Sequence, residues 1–390
     1  MPCGSGKSSA FPEFEMSLEF FDHNSTTPLN AAAALAWKEA QGASWLNPSS
    51  PYRAAAAVRA RLAAARERLA AVLETKPERV VFNSGATEGN NRVFELWARQ
   101  LPAGARVGVS PTEHPSVLEA ARHYFKERID WLPLDANGAV AADRIEYGGL
   151  VALSAMAANN ETGVLNPWSQ IAADCRAAGI PFHCDASQWL GKLPASGLGT
   201  CDYLTVCAHK FGGPKGTGFL LLPEGGAAAG FQRGGPQEGG HRAGTEDVPG
   251  ILAMLAALEA APAGAAAARD AFEAGLLAAL PQCEVVGKAA ARLWNTSALC
   301  LPEFENVRWI RALEKRGFLV STGSACASGK VGASPVLAAM GYSVDVIRRV
   351  VRISAGAETK PAAWEGLRAA FVESYADLRE SAGESPVVAV

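Results

Sequence analysis

Between Arg79 and Leu222, short apolar, β-branched runs alternate with amphipathic stretches. The runs Arg79–Phe82, Arg106–Ser110, Ile129–Leu132, Leu150–Ser154, Pro181–Cys184, Tyr203–Cys207 and Gly218–Leu222 predict strands. The stretches Asn91–Gln100, Ser116–Arg128 and Trp168–Ala178 predict helices between them. Strands alternating with helices imply an α/β fold with a mostly parallel, doubly wound sheet covered on both faces. Such sheets carry ligands beyond the C-terminal ends of their strands. Near Ala260 the pattern changes. An alanine-rich helix is followed by Cys283–Val286, Leu293–Leu301, a helix at Val307–Arg316, a strand at Val350–Ser354 and a helix at Pro361–Leu378. This second region reads as a smaller α+β lobe, and Ser381–Val390 as a frayed tail. No repeat recurs at a fixed period.

Composition narrows the class. At 390 residues the chain exceeds one ordinary domain. Its hydrophobic fraction of 49% owes much to alanine runs such as Ala54–Ala57 and Ala265–Ala268, which favour helix and are too short to span a membrane. A net charge of −3 leaves no basic stripe for nucleic acid. Eight cysteines include no Cys-x-x-Cys pair and no histidine at zinc-finger spacing, so no metal site is expected. The first twenty residues lack an apolar signal core. A soluble, cytoplasmic chain with mostly structural thiols is the expectation.

The run Gly4–Ser9 imitates the end of a phosphate-binding P-loop. It lacks the first glycine and the preceding strand, so it reads as a flexible leader. Four later loops carry polar residues that a fold alone does not require. Phe82–Glu88 follows a strand and opens a helix; its small residues suit either an anion at the helix N-terminus or a plain capped turn. Asp185, just past an apolar strand, is either a helix cap or the partner of a buried cation such as a protonated pyridine nitrogen. Lys210 ends another strand, where it either reaches solvent or forms a Schiff base with an aldehyde; Lys215 sits in a Gly/Pro turn and reads as structural or solvent-facing. Ser321–Gly329 surrounds Cys326 with small residues, which favours mobility and access over core packing.

Ten motifs stand in one order. They are Asp22–Pro28, Asn47–Ser50, Ser84–Glu88, Glu113–Ser116, Asn159–Gly163, Asp185–Gln188, Ala208–Lys210, Arg242–Thr245, Gly323–Cys326 and Val351–Ser354. Together they resemble the pyridoxal-phosphate (PLP) enzymes of fold type I, within the class V aminotransferase family, and among these the cysteine desulfurases of the iron–sulfur assembly type. The resemblance covers Phe21 to about Ser354. It implies a large PLP-binding domain over residues 21–260 with a mostly parallel seven-stranded sheet, after a leader and arm at 1–20. A small α+β domain at 261–380 would carry the cysteine loop, before a tail at 381–390.

The resemblance also implies roles. Lys210 would tether the cofactor and shuttle the Cα proton, and Asp185 would keep the pyridine nitrogen protonated. His114 would stack on the ring and serve as acid or base. Asn160 and Gln188 would bond the ring hydroxyl. Ala86, Thr87, Cys207, His209 and Thr245 of a partner subunit would hold the phosphate. Arg352, with Asn160, would bind the substrate carboxylate. Cys326 would attack the sulfur of L-cysteine, leaving alanine and a persulfide that passes to an acceptor protein. A homodimer follows from the Thr245 role.

Some positions depart from the family pattern. Cys207 stands where a phosphate-binding serine is usual, and a thiol is the weaker donor. Pro236, Tyr52, Ala357 and Glu358 also differ. They leave open a related lyase acting on selenocysteine, cysteine sulfinate or cystine, or a catalytically idle scaffold. His123 reads as a solvated helix position and His183 as a satisfied core residue, while His23 and His241 lie in motif loops that leave a pocket role open.

Overall fold

The computed structural model describes residues 18–225, 232–323 and 334–383. The Gly4–Ser9 run, Cys326 and residues 384–390 lie outside the described residues. In chain order the strands are β1 (Glu19–Phe20), β2 (Val80–Asn83), β3 (Arg106–Val109), β4 (Ile129–Trp131), β5 (Leu150–Ser154), β6 (Phe182–Asp185), β7 (Tyr203–Cys207), β8 (Gly218–Leu221), β9 (Glu284–Val285), β10 (Thr296–Cys300), β11 (Phe318–Leu319) and β12 (Val350–Ser354). The helices are α1 (Ala31–Ala43), α2 (Arg53–Val72), α3 (Ala86–Gln100), α4 (Pro115–Phe125), α5 (Trp168–Ala178), α6 (Val248–Glu259), α7 (Ala267–Ala279), α8 (Asn306–Glu314), α9 (Pro335–Ala339), α10 (Val344–Ile347) and α11 (Pro361–Gly383).

The large sheet has seven strands in the order β2-β8-β7-β6-β5-β3-β4. All neighbours are parallel except where β8 meets β2 and β7. Side chains alternate between its faces. Val80, Phe82, Leu153, Leu204 and Val206 pack with residues of α2, α5 and α6. Val81, Val107, Val109, Ala152, Tyr203 and Leu220 pack with residues of α3 and α4. Both faces are therefore covered, as a near-continuous apolar strand pattern requires.

The second lobe is built on the antiparallel sheet β12-β10-β9. Its core joins Phe272, Trp309, Trp364 and Phe371, and Phe21 belongs to it as well. The short parallel pair β1–β11 brings the N-terminal strand across to this lobe. Here Phe21 stacks edge-on to Trp364 with ring centroids 5.0 Å apart.

Several boundaries differ from expectation. Helix α3 starts at Ala86, five residues before the predicted Asn91, because its first turns carry the polar residues of the motif loop rather than an apolar stripe. Asp185 is the last residue of β6, not a residue beyond it, and pairs with Thr205 of β7. Helix α11 runs to Gly383 and absorbs the first residues of the expected tail.

Candidate active site

The C-terminal ends of β2, β6 and β7 open onto a cavity of about 730 Å³. Ala86, Thr87, His114, Asn160, Asp185, Gln188, Cys207, His209, Lys210 and Arg352 all line it. Arg352 enters from β12, so the cavity lies where the two lobes meet. Thr245 is elsewhere, beside a separate smaller cavity with Arg242 and Phe82. His23 and His241 do not line the main cavity: His23 packs on Phe20 with ring centroids 4.9 Å apart, and His241 borders a surface cleft with Arg66 and Glu238. His183 is wholly buried, and both of its ring nitrogens face hydroxyls.

Lys210 closes the short turn after β7. Its Nζ donates to the carbonyls of Asn24 at 2.6 Å and Ser25 at 2.7 Å. Burial pulls this amine below its usual range; Cys207 pushes back, and Arg352 pulls further. A lowered lysine is a better nucleophile and base near neutral pH.

Asp185 accepts the amide of Asn90 at 2.8 Å and the Ser187 N–H at 2.9 Å. His114 caps α4, and its Nδ1 accepts the Ser116 N–H at 3.1 Å. Any proton on the neutral ring is therefore on Nε2. Burial lowers His114, Asp185 pulls it up, and Lys210 lowers it again.

Arg352 is 2% exposed. Its guanidinium donates to Asp22 Oδ1 and Ser25 Oγ at 2.6 Å each, and to the carbonyls of Asn160 at 3.0 Å and Gly323 at 3.1 Å. Its buried Nε–H has no acceptor. At the opposite end, α3 begins with no side-chain cap after Gly85, whose φ of 134° suits glycine. Beside it the buried Ser187 hydroxyl also lacks a hydrogen-bond partner. His209 Nδ1 lies 3.2 Å from Thr26 Oγ1, and burial holds the ring at about 4.

Three residues close to this arrangement were given no role from the sequence, and of them only Asn24 lies in a motif, Asp22–Pro28. Asn24 ties Lys210, Gln188 and Lys192 together through its backbone and side-chain oxygens. Lys192 is buried below Gln188, and Asn90 stands behind Asp185. Only the three-dimensional contacts single out Asn90 and Lys192.

Residues 19–362 match the aminotransferase class-V family. The chain belongs to that family. Its relatives include Cysteine desulfurase 2 of Trichormus variabilis, 34% identical over 87% of this chain and 88% of that one. The cysteine desulfurase of Rhodobacter capsulatus is 36% identical over 92% of this chain and 97% of that one. Among solved structures, a NifS-like protein superposes with a TM-score of 0.84 at 26% identity, covering 92% of this chain and 100% of the other. SspA in complex with cysteine superposes with a TM-score of 0.77 at 28% identity, covering 87% and 99%. This class-V member thus has the fold expected from its motifs. Among its described residues, no helix is long and apolar enough to cross a membrane, and no cluster of His, Cys, Asp and Glu could hold a metal ion.

Proposed function

We propose that the chain is a PLP-dependent cysteine desulfurase that converts L-cysteine to L-alanine and passes the sulfur, through a persulfide on Cys326, to an acceptor protein. The observation that carries the reading is the convergence of the Lys210 amine, the Asp185 carboxylate and the Arg352 guanidinium on one cavity. It is read together with relatives called cysteine desulfurases.

The donor set fits the cofactor. The uncapped start of α3, with Ala86 and Thr87 and the unpaired Ser187 hydroxyl, suits a phosphate. Cys207 and His209 border the same end. Asp185 offers a buried carboxylate for a pyridinium nitrogen, Asn160 and Gln188 offer polar atoms for the ring hydroxyl, and His114 offers an imidazole face. When bound, the cofactor supplies a protonated aromatic ring that draws electrons away from the substrate Cα.

The chain's own residues do the rest. Arg352, held rigidly by Asp22 and Ser25, binds the substrate carboxylate, and its unpaired Nε–H is the group that most needs such an acceptor. Lys210 Nζ takes the Cα proton, since its lowered range leaves more of the amine unprotonated and free to act as a base. His114 holds or releases a proton at Nε2. The Cys326 thiolate attacks the substrate sulfur: the carbon–sulfur bond breaks and a sulfur–sulfur bond forms, while the carbon side takes up one proton at Cβ and regains one from Lys210 at Cα to become alanine.

The reading extends to a large domain at 21–260 and a small domain at 261–380. It also extends to a cytoplasmic homodimer in which Thr245 completes the partner's phosphate site. The place of Thr245 outside its own chain's cavity favours the dimer, and the six free, buried cysteines among the described residues suit a reducing compartment. The test is to incubate the PLP-loaded protein with sulfur-labelled cysteine and map the label by peptide mass. One persulfide on the Cys326 peptide, matched by alanine and absent in Cys326→Ala, is expected. Sulfide release undiminished in that variant would defeat the persulfide route.

A further inference from the structure

We propose that Asn90 is a positioning residue: its single amide, aimed by the Thr205 hydroxyl, holds Asp185 and His114 in register and ends a one-way hydrogen-bond chain that begins at Ser154. The kinetic part of this proposal rests on the functional reading above. The chain of bonds itself does not.

The direction of each bond follows from what each atom can do. The Asp185 carboxylate accepts, so the Asn90 atom 2.8 Å from its Oδ2 is the NH₂ group. The second proton of that NH₂ goes to Ser116 Oγ at 2.9 Å. Ser116 Oγ lies 2.8 Å from His114 Nδ1, which already accepts the Ser116 N–H and so receives the hydroxyl proton too. One amide thus reaches both residues.

The other end of Asn90 is a carbonyl, which only accepts. It takes the hydroxyl proton of Thr205 at 2.5 Å. That proton is then spent, so His183 Nε2, 3.2 Å from Thr205 Oγ1, must be the donor there. Burial pulls His183 down to about 4, so its ring is neutral near pH 7. His183 Nδ1 is then a lone pair. It accepts the Ser154 hydroxyl at 2.9 Å, and Ser154 Oγ lies 3.2 Å from Glu113 Oε1. With His183 neutral, reversing any link from Ser154 to Asn90 would set lone pair against lone pair, so that stretch has one polarity.

Its setting argues for purpose. Glu113, Ser154, His183, Thr205 and Asn90 are each 0% exposed. They lie among the apolar residues where α3 and α4 cover the sheet, a place where an unpaired polar group costs free energy. Helix α3 approaches β7 closely because Gly89 precedes Asn90: a Cβ there would stand 2.7 Å from Thr205 Cγ2. That close approach is what lets Asn90 meet Thr205.

The test uses the full chain with ¹⁵N-labelled histidine, cofactor-free and PLP-loaded. His183 and His114 are expected as neutral Nε2–H tautomers at pH 7. Thr205→Val keeps the shape but removes the proton that aims Asn90. It should move the His114 Nδ1 resonance and lower kcat for cysteine by on the order of tenfold with KM nearly unchanged, and Thr205→Ser should restore both. Ser154→Ala, at the far end, should release the His183 tautomer and also move the His114 resonance; this readout serves if the valine variant fails to fold. A charged or Nδ1–H His183, or a His114 resonance unmoved in both variants, would overturn the proposal. Resonances that move as expected in a chain without desulfurase activity would leave the positioning role intact and defeat the functional reading instead.

Discussion

Lys192 Nζ donates to Oε1 of Gln188, four residues earlier, and so decides which end of that amide is left as a donor. The same amine donates to Asn24 Oδ1 at 2.8 Å, while Gln188 Nε2 donates to the Asn24 carbonyl at 2.9 Å. Burial lowers Lys192 well below its usual range, with Lys210 and Arg352 adding to the effect. Lys192→Met would strand the buried Gln188 Oε1, at a cost of about 1–3 kcal/mol, while Asn24 Oδ1 would keep the Asn295 amide at 3.3 Å. Gln188 would then be free to turn its amide over at the cavity wall. The expected outcome is a lower melting temperature and an affinity for PLP weakened by about tenfold, read by absorbance titration. Unchanged PLP affinity would reduce Lys192 to a filler of space.

Arg352 spreads its donors over Asp22, Ser25 and two carbonyls, a fork that an ammonium cannot reproduce. Arg352→Lys should raise KM for cysteine by roughly ten- to a hundredfold, as losing a charge-assisted pair implies, with a smaller change in kcat. Steady-state kinetics on alanine release separate the two effects. A drop confined to kcat would place Arg352 away from the substrate carboxylate.

Cys207 is buried at the phosphate end of the cavity, and burial raises its thiol above the usual range despite Lys210 nearby. It is therefore a neutral thiol, a weak donor beside a proposed anion site. Cys207→Ser adds a stronger donor of similar size. PLP should bind several-fold more tightly, since one net hydrogen bond is worth about 1 kcal/mol. Equal affinities in a side-by-side titration would mean that backbone N–H groups carry the phosphate alone.

Much of this arrangement was legible in the sequence, for identifiable reasons. Strands β5, β7 and β12 and helix α5 begin and end where their apolar runs do, because each is buried along its length or bounded by turn residues. The direction of β8 was not foreseen, although residues 208–217 between β7 and β8 are too few for a parallel crossover and so force an antiparallel return. The two-residue strands β1 and β11 carry too little pattern to be seen, since they exist only through their pairing. The motif loops marked the residues that touch the cavity. Asn90 and Lys192 lie behind that layer, where a polar residue inside a helix or turn looks like any solvated position until its buried partners are known.

Acid should unfold this protein early, and the sign follows from its histidines. Burial holds His23 and His209 at about 4 and pulls His114, His183 and His241 below their usual range. In the unfolded chain each titrates near its ordinary value of about 6.5. Below that value the unfolded state binds protons that the folded state refuses, so their stabilising contribution, complete above about 6.5, drains away as the pH falls toward about 4. Glu113 and Glu161, both raised by burial, act with the opposite sign, because the folded chain keeps protons there that the unfolded chain releases. Lys192, pulled well below its usual range by burial, acts with the histidines, and His23, His183 and His209 are held as low as about 4. The urea midpoint should therefore fall between pH 7 and pH 5, and His23→Gln should make the fall shallower. A midpoint that holds steady or rises over that range would mean that the histidines are charged in the folded protein, and the one-way chain from Ser154 to Asn90 would fall with them.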